Sequence, residues 1–487
     1  MPNAVAYMML LAWPLVSLVL FRRLPLERAI LWCIIAGYLL LPPVAEFDLP
    51  LVPDMDKFAI PSIMAFGLCT FMLRRPVPLL PRHPAALVLV LLFVFGVIPT
   101  VLTNGEPMLF HKIANADPIL ILNHQLPGLR WRDVGSVMIN QVIVLMPFLI
   151  ARRYLSTPEA HRDLLLALVL GALAYSIPAL FEIRFSPQTN VWIYGFFQHD
   201  FSQMIRMGGY RPIVFLPHAL WLAFFVATAL MAAAALARTA LPERRWRLGL
   251  VCGYLFLLLI GCKSLASLAY GLVFTPVVAF APLRWQLRMA LVLGLIAVIY
   301  PMLRNAGLIP TDDVVAYFET ISVDRAHSLG FRFDNEAQLL ARAAEKPWFG
   351  WGGWGRNLIL HEESGEILSI PDGRWIIVFG TFGWLGYIAE MGLLALPLVL
   401  LAWAARKTSV QSFSPYAAPI ALILAATLVD MLLNATLIPF TWMCAGAVLG
   451  YAERLIYPGL FRERPALFGG IQAMSSETSA PTKRSVI

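Results

Sequence analysis

The chain has 487 residues, 59% of them hydrophobic and 14% charged, with a mean hydropathy of +0.73 and a net charge of +8. A soluble domain carries about a quarter charged residues, so a soluble globular protein is excluded. Much of the positive charge sits in short loops between apolar blocks, where it orients spans, so it does not mark a nucleic-acid binder.

The apolar residues come in blocks of about 17 to 24, the length that crosses a ~30 Å hydrocarbon core. A β-barrel would show alternating segments of ~10 residues instead. The expected fold is an all-α polytopic transmembrane bundle of about thirteen spans. In chain order they are 4–21, 29–44, 57–73, 85–102, 136–151, 163–182, 212–237, 248–262, 265–282, 287–303, 383–404, 415–433 and 437–452. The first block lacks a basic n-region and an A-x-A exit, so it reads as a retained span. Spans eight and nine are separated only by Lys263-Ser264, as a hairpin or one broken unit. Five cysteines, Cys33, Cys69, Cys252, Cys262 and Cys444, lie in or beside apolar blocks without CxxC spacing, which suggests neither a disulfide framework nor a zinc site.

Basic residues follow the odd-numbered spans: Arg22, Arg23 and Arg28, then Arg74, Arg75 and Arg82, then Arg152 and Arg153, then Arg238, Arg244, Arg245 and Arg247. Arg284 and Arg288, Arg406 and Lys407, and Arg454, Arg462 and Arg464 continue the pattern. By the positive-inside rule these loops are cytoplasmic, the N-terminus is outside and the C-terminus inside. The expected organisation is a bundle over 1–303 with outer loops at 103–135 and 184–211, a large outer loop over 304–374, further spans over 375–455, and a tail over 456–487. The tail is polar from about Ala473 and expected to be disordered.

The large loop is a polar island in a greasy chain. Within it, residues 331–346 place Leu339, Leu340, Ala343 and Ala344 at helical spacing, which predicts an amphipathic helix with Arg332 near its start. Pro347 stops it, and the run Phe349-Gly350-Trp351-Gly352-Gly353-Trp354-Gly355 follows as a close-packed turn. An outer site rich in arginine suits an anionic ligand, because guanidinium groups hold phosphate oxygens in a planar fork and keep their charge. Arg332 and Arg342 come from this loop, and Arg206 and Arg211 from the preceding one, where Arg211-Pro212 heads span seven. Arg211 reads either as a ligand group or as a snorkelling anchor. Trp351, Trp354 and Trp375 offer flat faces for sugar rings, or belong to an interfacial belt.

The segment from Arg332 to Gly386 resembles the signature of the O-antigen ligase and O-antigen polymerase superfamily. That signature is an arginine, an amphipathic helix, Pro-x-x-Gly-x-Gly, a variable stretch, then a polar residue before a helix ending in Gly-x-x-Gly. Here it stands as Arg332, Pro347 to Gly352, Asp372-Gly373-Arg374-Trp375, and Gly383-Trp384-Leu385-Gly386. Gly208-Gly209-Tyr210-Arg211-Pro212 is similar to the family's other arginine motif. The resemblance implies a GT-C-like fold and glycosyl transfer without metal or cofactor at the periplasmic face of the bacterial inner membrane. It implies a donor saccharide on undecaprenyl pyrophosphate, a saccharide or lipid acceptor, contact with membrane lipids and polysaccharide-assembly proteins, and a pyrophosphate gripped by Arg211 and Arg332. Where the family usually carries histidine and asparagine, this chain has Asp372-Gly373. The base that activates the acceptor hydroxyl is then Asp372, or His361 from the variable stretch. Competing assignments are a helix N-cap for Asp372 and a solvated loop residue for His361.

Glu390 and Asp430 fall inside expected spans, where they serve a proton relay or lock neighbouring helices by hydrogen bonds; the second is favoured. Asn140 and Gln141 read as helix-packing residues. His111, His124 and His199 lack ligand spacing for a metal. The competing functional class is a transporter or flippase of a lipid-linked or anionic saccharide, which would line a central cavity with cations.

Overall fold

The computed structural model describes residues 1–49, 52–74, 77, 80–110, 125–409 and 412–460; Arg75, His111, His124, Arg462, Arg464 and the tail after Ala473 lie outside them. Asn3 starts the first helix by accepting the Ala6 N–H on its side chain (3.1 Å), and Pro25 separates it from the second. The helices are α1 (Ala4–Arg23), α2 (Leu26–Leu40), α3 (Ala59–Gly67, running on to Met72), α4 (Pro84–Phe95) and α5 (Val97–Leu102). Then come α6 (Trp131–Tyr154), α7 (Pro158–Arg184), α8 (Thr189–Tyr194), α9 (Ala219–Thr239), α10 (Pro242–Gly261), α11 (Leu265–Phe280) and α12 (Leu283–Asn305). The island holds α13 (Thr311–Glu319) and α14 (Val323–Ala344), and α15 (Arg374–Lys407), α16 (Ala417–Asp430) and α17 (Pro439–Ile456) follow. Three antiparallel two-stranded hairpins cap the loops: β1 (Phe47–Leu49) with β2 (Val52–Met55), β3 (Met108–Leu109) with β4 (Gln125–Leu126), and β5 (Ile205–Arg206) with β6 (Gly209–Tyr210).

Each of the thirteen expected spans overlaps a helix, with different bounds, yet among the described residues seven helices are both long and apolar enough to cross a membrane. They are α1, α4 joined to α5, α6, α7, α9, α12 and α15. Helices α3, α11 and α16 are apolar but shorter. Glycine and proline cut several hydropathy blocks, so an unbroken apolar stretch in the sequence became a shorter helix with a non-helical end. Helix α9 is apolar all round and 89% buried along its most apolar window, against 28% for α1, so α9 forms the centre and α1 the rim.

Helices α6 and α17 approach most closely. Gly446 and Gly450 form a Gly-x-x-x-Gly face, and a Cβ at either would lie 2.1 Å from Phe148 O or 2.0 Å from Arg152 O. Small residues permit this contact, which dispersion stabilises where no hydrophobic effect operates. At that end Arg152 donates to Glu453 (3.0 Å), both buried, and Glu453 accepts the N–H groups of Arg82 and His83. Arg454 donates to Ser156 (2.7 Å), and Arg28 pairs with Asp163 (2.9 Å). The basic span exits thus share packing contacts, while Asn3 donates to the carbonyls of Tyr194 and Ile193 at the end of α8.

Helix α15 is broken at Gly383, whose φ of +63° and ψ of −162° suit glycine alone. The Gly/Trp run plugs the break. Trp351 and Gly352 donate to the carbonyls of Gly380 and Thr381 (2.9 Å each), and Trp384 and Leu385 donate back to Pro347 and Trp348 (2.7 and 3.2 Å). Two carbonyls before the break and two N–H groups after it are thus matched by the loop, as irregular chain at membrane depth requires. A Cβ on Gly350 would lie 2.5 Å from Thr381, and one on Gly383 would lie 2.4 Å from Trp348. The motif glycines are the points where two backbones touch.

Candidate functional site

Arg211 leaves the β5–β6 hairpin with its N–H bonded to Met204 O (2.8 Å). The chain then stays non-helical to His218, which corrects the expectation that a span starts at 212. Pro212 and Pro217 lack the N–H that a helix would use. Glu182 of α7 accepts the N–H groups of Ile213 and Val214 (2.8 Å each), and Tyr175 OH accepts that of Phe215. Gln198 donates to Val214 O and Leu216 O, and the buried Lys57 donates to Phe215 O (2.8 Å). Helix α9 starts only at Ala219, where His218 Nδ1 accepts the Leu220 N–H (2.9 Å).

This scaffold holds Arg211 at 3% exposure. Among the described residues its Nε and Nη2 find no hydrogen-bond partner, and no carboxylate pairs with it. Burial first, then repulsion from Arg206 and Arg332, lowers its pKa to about 10, so it stays charged at neutral pH. His218 lies edge-on to His199 (4.4 Å), and burial, His199, Arg211 and Arg332 together push it down to about 3. The neutral ring accepts on Nδ1, so its proton sits on Nε2 as a donor. Arg206 is exposed on β5, and its carbonyl accepts from Lys263 Nζ (2.9 Å) in the break between α10 and α11. In the sequence Lys263 stands only as part of the separator between spans eight and nine; a lysine between two apolar spans is the signal that marks it.

Arg332 reaches the same place from the island. Helix α14 begins at Val323, well before the expected 331, so Arg332 lies mid-helix rather than near a start. The extra turns form because Ala326 extends the buried face of Asn335, Glu336, Leu339 and Ala343. Arg304 at the end of α12 fixes that face, donating to Glu336 (2.9 Å). Arg332 Nη1 donates to Leu433 O (2.7 Å) and Asn434 Oδ1 (3.3 Å), and its Nε lies 3.5 Å from Asp372 Oδ2. Asp372 does not cap α15; Gly373 occupies the cap position without a side-chain bond. Burial raises the Asp372 pKa, and Arg332 opposes the rise.

The structure therefore gathers Arg206, Arg211, His199, His218, Arg332 and Asp372, the cations near enough for one charge to act on another. It places the other candidates elsewhere. Arg342 is about 15 Å further along α14, stacked 3.4 Å over the Trp351 ring and paired with Glu345 (2.8 Å). Lys346 lies 4.4 Å from the same ring, so Trp351 already has cations against it. Trp375 is 1% exposed against Tyr300 and offers no open face, which corrects its assignment to sugar stacking. Its position after Gly373 turns it into the bundle. Trp354 is 54% exposed. His361 sits at an exposed hairpin tip, with Nδ1 accepting the N–H groups of Glu363 and Ser364.

Asp430 of α16 shares a side-chain hydrogen bond with Tyr270 of α11 and so links two helices, whereas Glu390 finds its partner within its own broken helix. Glu390 takes both Nε and Nη2 of Arg374 (2.6 Å each) across the α15 break. Asp430 accepts from Asn434 (3.0 Å) and Thr436 (2.7 Å), shaping the loop that holds Arg332. A cavity of about 670 Å³ opens beside the Gly/Trp run and is lined by neither Arg211 nor Arg332. No protein-family model and no curated protein matches the chain. Fold and site define a helical membrane protein with a cluster of cations, the buried Arg211 among them, brought together from two distant loops.

Proposed function

We propose that the protein transfers a saccharide from undecaprenyl pyrophosphate to an acceptor hydroxyl at the outer face of the bacterial inner membrane, as a ligase or polymerase. The observation that carries this reading is Arg211: a buried guanidinium with two free donors beside a second arginine from another loop. A diphosphate supplies the charge and acceptors that the protein does not. The motif resemblance points to the same pair. Under the positive-inside rule, the end bearing Arg28, Arg82, Arg152 and Arg454 faces the cytoplasm, which puts the site outside.

In this reading the acceptor oxygen attacks the anomeric carbon, the bond to the phosphate oxygen breaks, and undecaprenyl pyrophosphate leaves. Arg211, Arg332 and the His218 Nε2 proton stabilise the charge that develops on the leaving group. Asp372 receives the proton of the hydroxyl. In the present arrangement Arg332 occupies Asp372; a bound diphosphate competes for Arg332 and returns the carboxylate to the acceptor. One attack without a covalent intermediate inverts the anomeric centre. The transporter reading loses its motif, since Glu390 is bound to Arg374 and Asp430 to Asn434 and Thr436.

The test is transfer by the purified protein in nanodiscs, with a synthetic lipid-linked oligosaccharide, read as extended saccharide and released lipid pyrophosphate. Arg211→Ala and Arg332→Ala should each abolish product while leaving the protein folded, and a chelator should have no effect. Wild-type output from both variants would end the proposal.

A further inference from the structure

The 670 Å³ cavity lies within the ~300–1,000 Å³ range of small-molecule sites. Its chemistry is unlike that of the arginine pocket. One wall carries Glu46, Asp48, Asp54 and Asp56 from the β1–β2 hairpin and the start of α3. Burial and the neighbouring acids raise Glu46, so these carboxylates feel one another. Arg374, the cation lining the cavity, is neutralised in place by the bidentate Glu390. A pyrophosphate is repelled here.

The rest of the lining is uncharged. Ser136, Asn140 and Gln141 come from α6 and Thr381 from α15, and Phe58, Trp354, Phe382 and Trp442 supply ring surface. Gln141 is 7% exposed, lines the cavity, and bonds to no group among the described residues, although its amide has two donors and an acceptor. Trp354 is held with φ at +56°, a conformation rare for a bulky residue, and lies open at the cavity. Carboxylates that accept, an amide that both donates and accepts, and flat apolar faces form the set that recognises a polyhydroxylated ring.

The cavity also adjoins the arginine pocket through shared segments. Asp372 and Arg374 stand on either side of Gly373, one paired with Arg332 and the other lining the cavity. Asn434 holds Arg332, and Leu437 and Ile438 line the cavity.

We propose that this cavity binds the acceptor saccharide as a neutral oligosaccharide, with Gln141 and Trp354 as its main contacts, so that donor phosphate and acceptor sugar occupy two chemically opposed compartments flanking Gly373. Its role as acceptor site rests on the transfer reading above; its affinity for neutral sugar does not. The experiment uses the full-length protein in nanodiscs and saturation-transfer NMR. The probes are neutral trisaccharides of glucose, galactose and mannose, with inorganic pyrophosphate and spermine in separate arms. At least one trisaccharide should receive saturation in the wild type. The signal should fall at least threefold in Gln141→Leu and in Trp354→Ala, both of which should keep the wild-type melting temperature, and should be unchanged in Arg211→Ala. Pyrophosphate should show the opposite dependence, raising the melting temperature of Gln141→Leu but not of Arg211→Ala. Absence of any trisaccharide signal, a signal indifferent to both cavity variants, or displacement of the sugar by spermine would overturn the proposal. Loss of the pyrophosphate effect in the wild type, with sugar binding intact, would instead sink the transfer reading and leave the saccharide cavity standing.

Discussion

Arg211 is held against its own solvation. Removing an uncompensated buried charge in favour of an apolar isostere is often neutral or stabilising. Arg211→Met should therefore keep or raise the melting temperature while lowering transfer on the order of 10²–10³-fold, the cost of losing one transition-state donor. Arg211→Lys should recover part of the rate, since it restores charge but not the planar fork. A thermal-shift assay beside an activity assay checks both. For Asp372, burial raises the pKa above the ordinary carboxylate range of ~3.9. The carboxylate that the proposal makes the base is present above that raised value and is lost as pH falls through it. The acid limb of kcat/KM should thus lie above pH ~4 and should vanish with activity in Asp372→Asn. His218, depressed to about 3, is neutral throughout the working range and should contribute no limb between pH ~5 and 8. His361→Ala should change the rate by less than about threefold, because its ring is tied into its own turn.

Among the elements, the stitched break of α15 places Asp372 and Arg374. Alanine at Gly383 forces a side chain into a backbone region used only by glycine, at a cost of order 1–3 kcal/mol before its clash with Trp348 is counted. Gly383→Ala should lower the melting temperature and the activity together, and circular dichroism against temperature checks the first. Glu390→Ala leaves Arg374 without its partner and should destabilise by about 3–5 kcal/mol, the usual penalty for halving a buried pair. The sequence motif displayed the glycines and the proline, because turns need those residue types at any location. It could not display the stitch, in which loop and helix exchange hydrogen bonds through backbone atoms that every residue possesses. The start of α9 was misread for a related reason: Glu182, which unwinds residues 213 and 214, lies on another helix. Arg332 was legible as a guanidinium near a membrane surface, whereas its partners Leu433 and Asn434 lie about a hundred residues later, in what looked like an ordinary span end. Gln141 looked like any polar residue in an apolar helix until five other segments closed around it.

Across the molecule, one end is fastened by the buried Arg152–Glu453 pair, and the other holds a cation cluster and a cavity with an acidic wall. Binding to the native state alone stabilises by RT ln(1 + [L]/Kd), about 2.7 kcal/mol at a hundredfold excess over Kd. Inorganic pyrophosphate should accordingly raise the unfolding midpoint of the wild type, and added salt should weaken the effect as it screens the cations. The broken helix also fixes an order of assembly. Residues 374–382 rise only about 13 Å and fall short of a bilayer, while 384–407 rise about 36 Å and cross it alone. The insertion machinery therefore meets the second half as the anchor and the first as a passenger. Since Arg332 is steadied by residues 433 and 434, Asp372 gains a settled neighbour only after the chain has been made about sixty residues beyond it, so the cation cluster is completed late in synthesis.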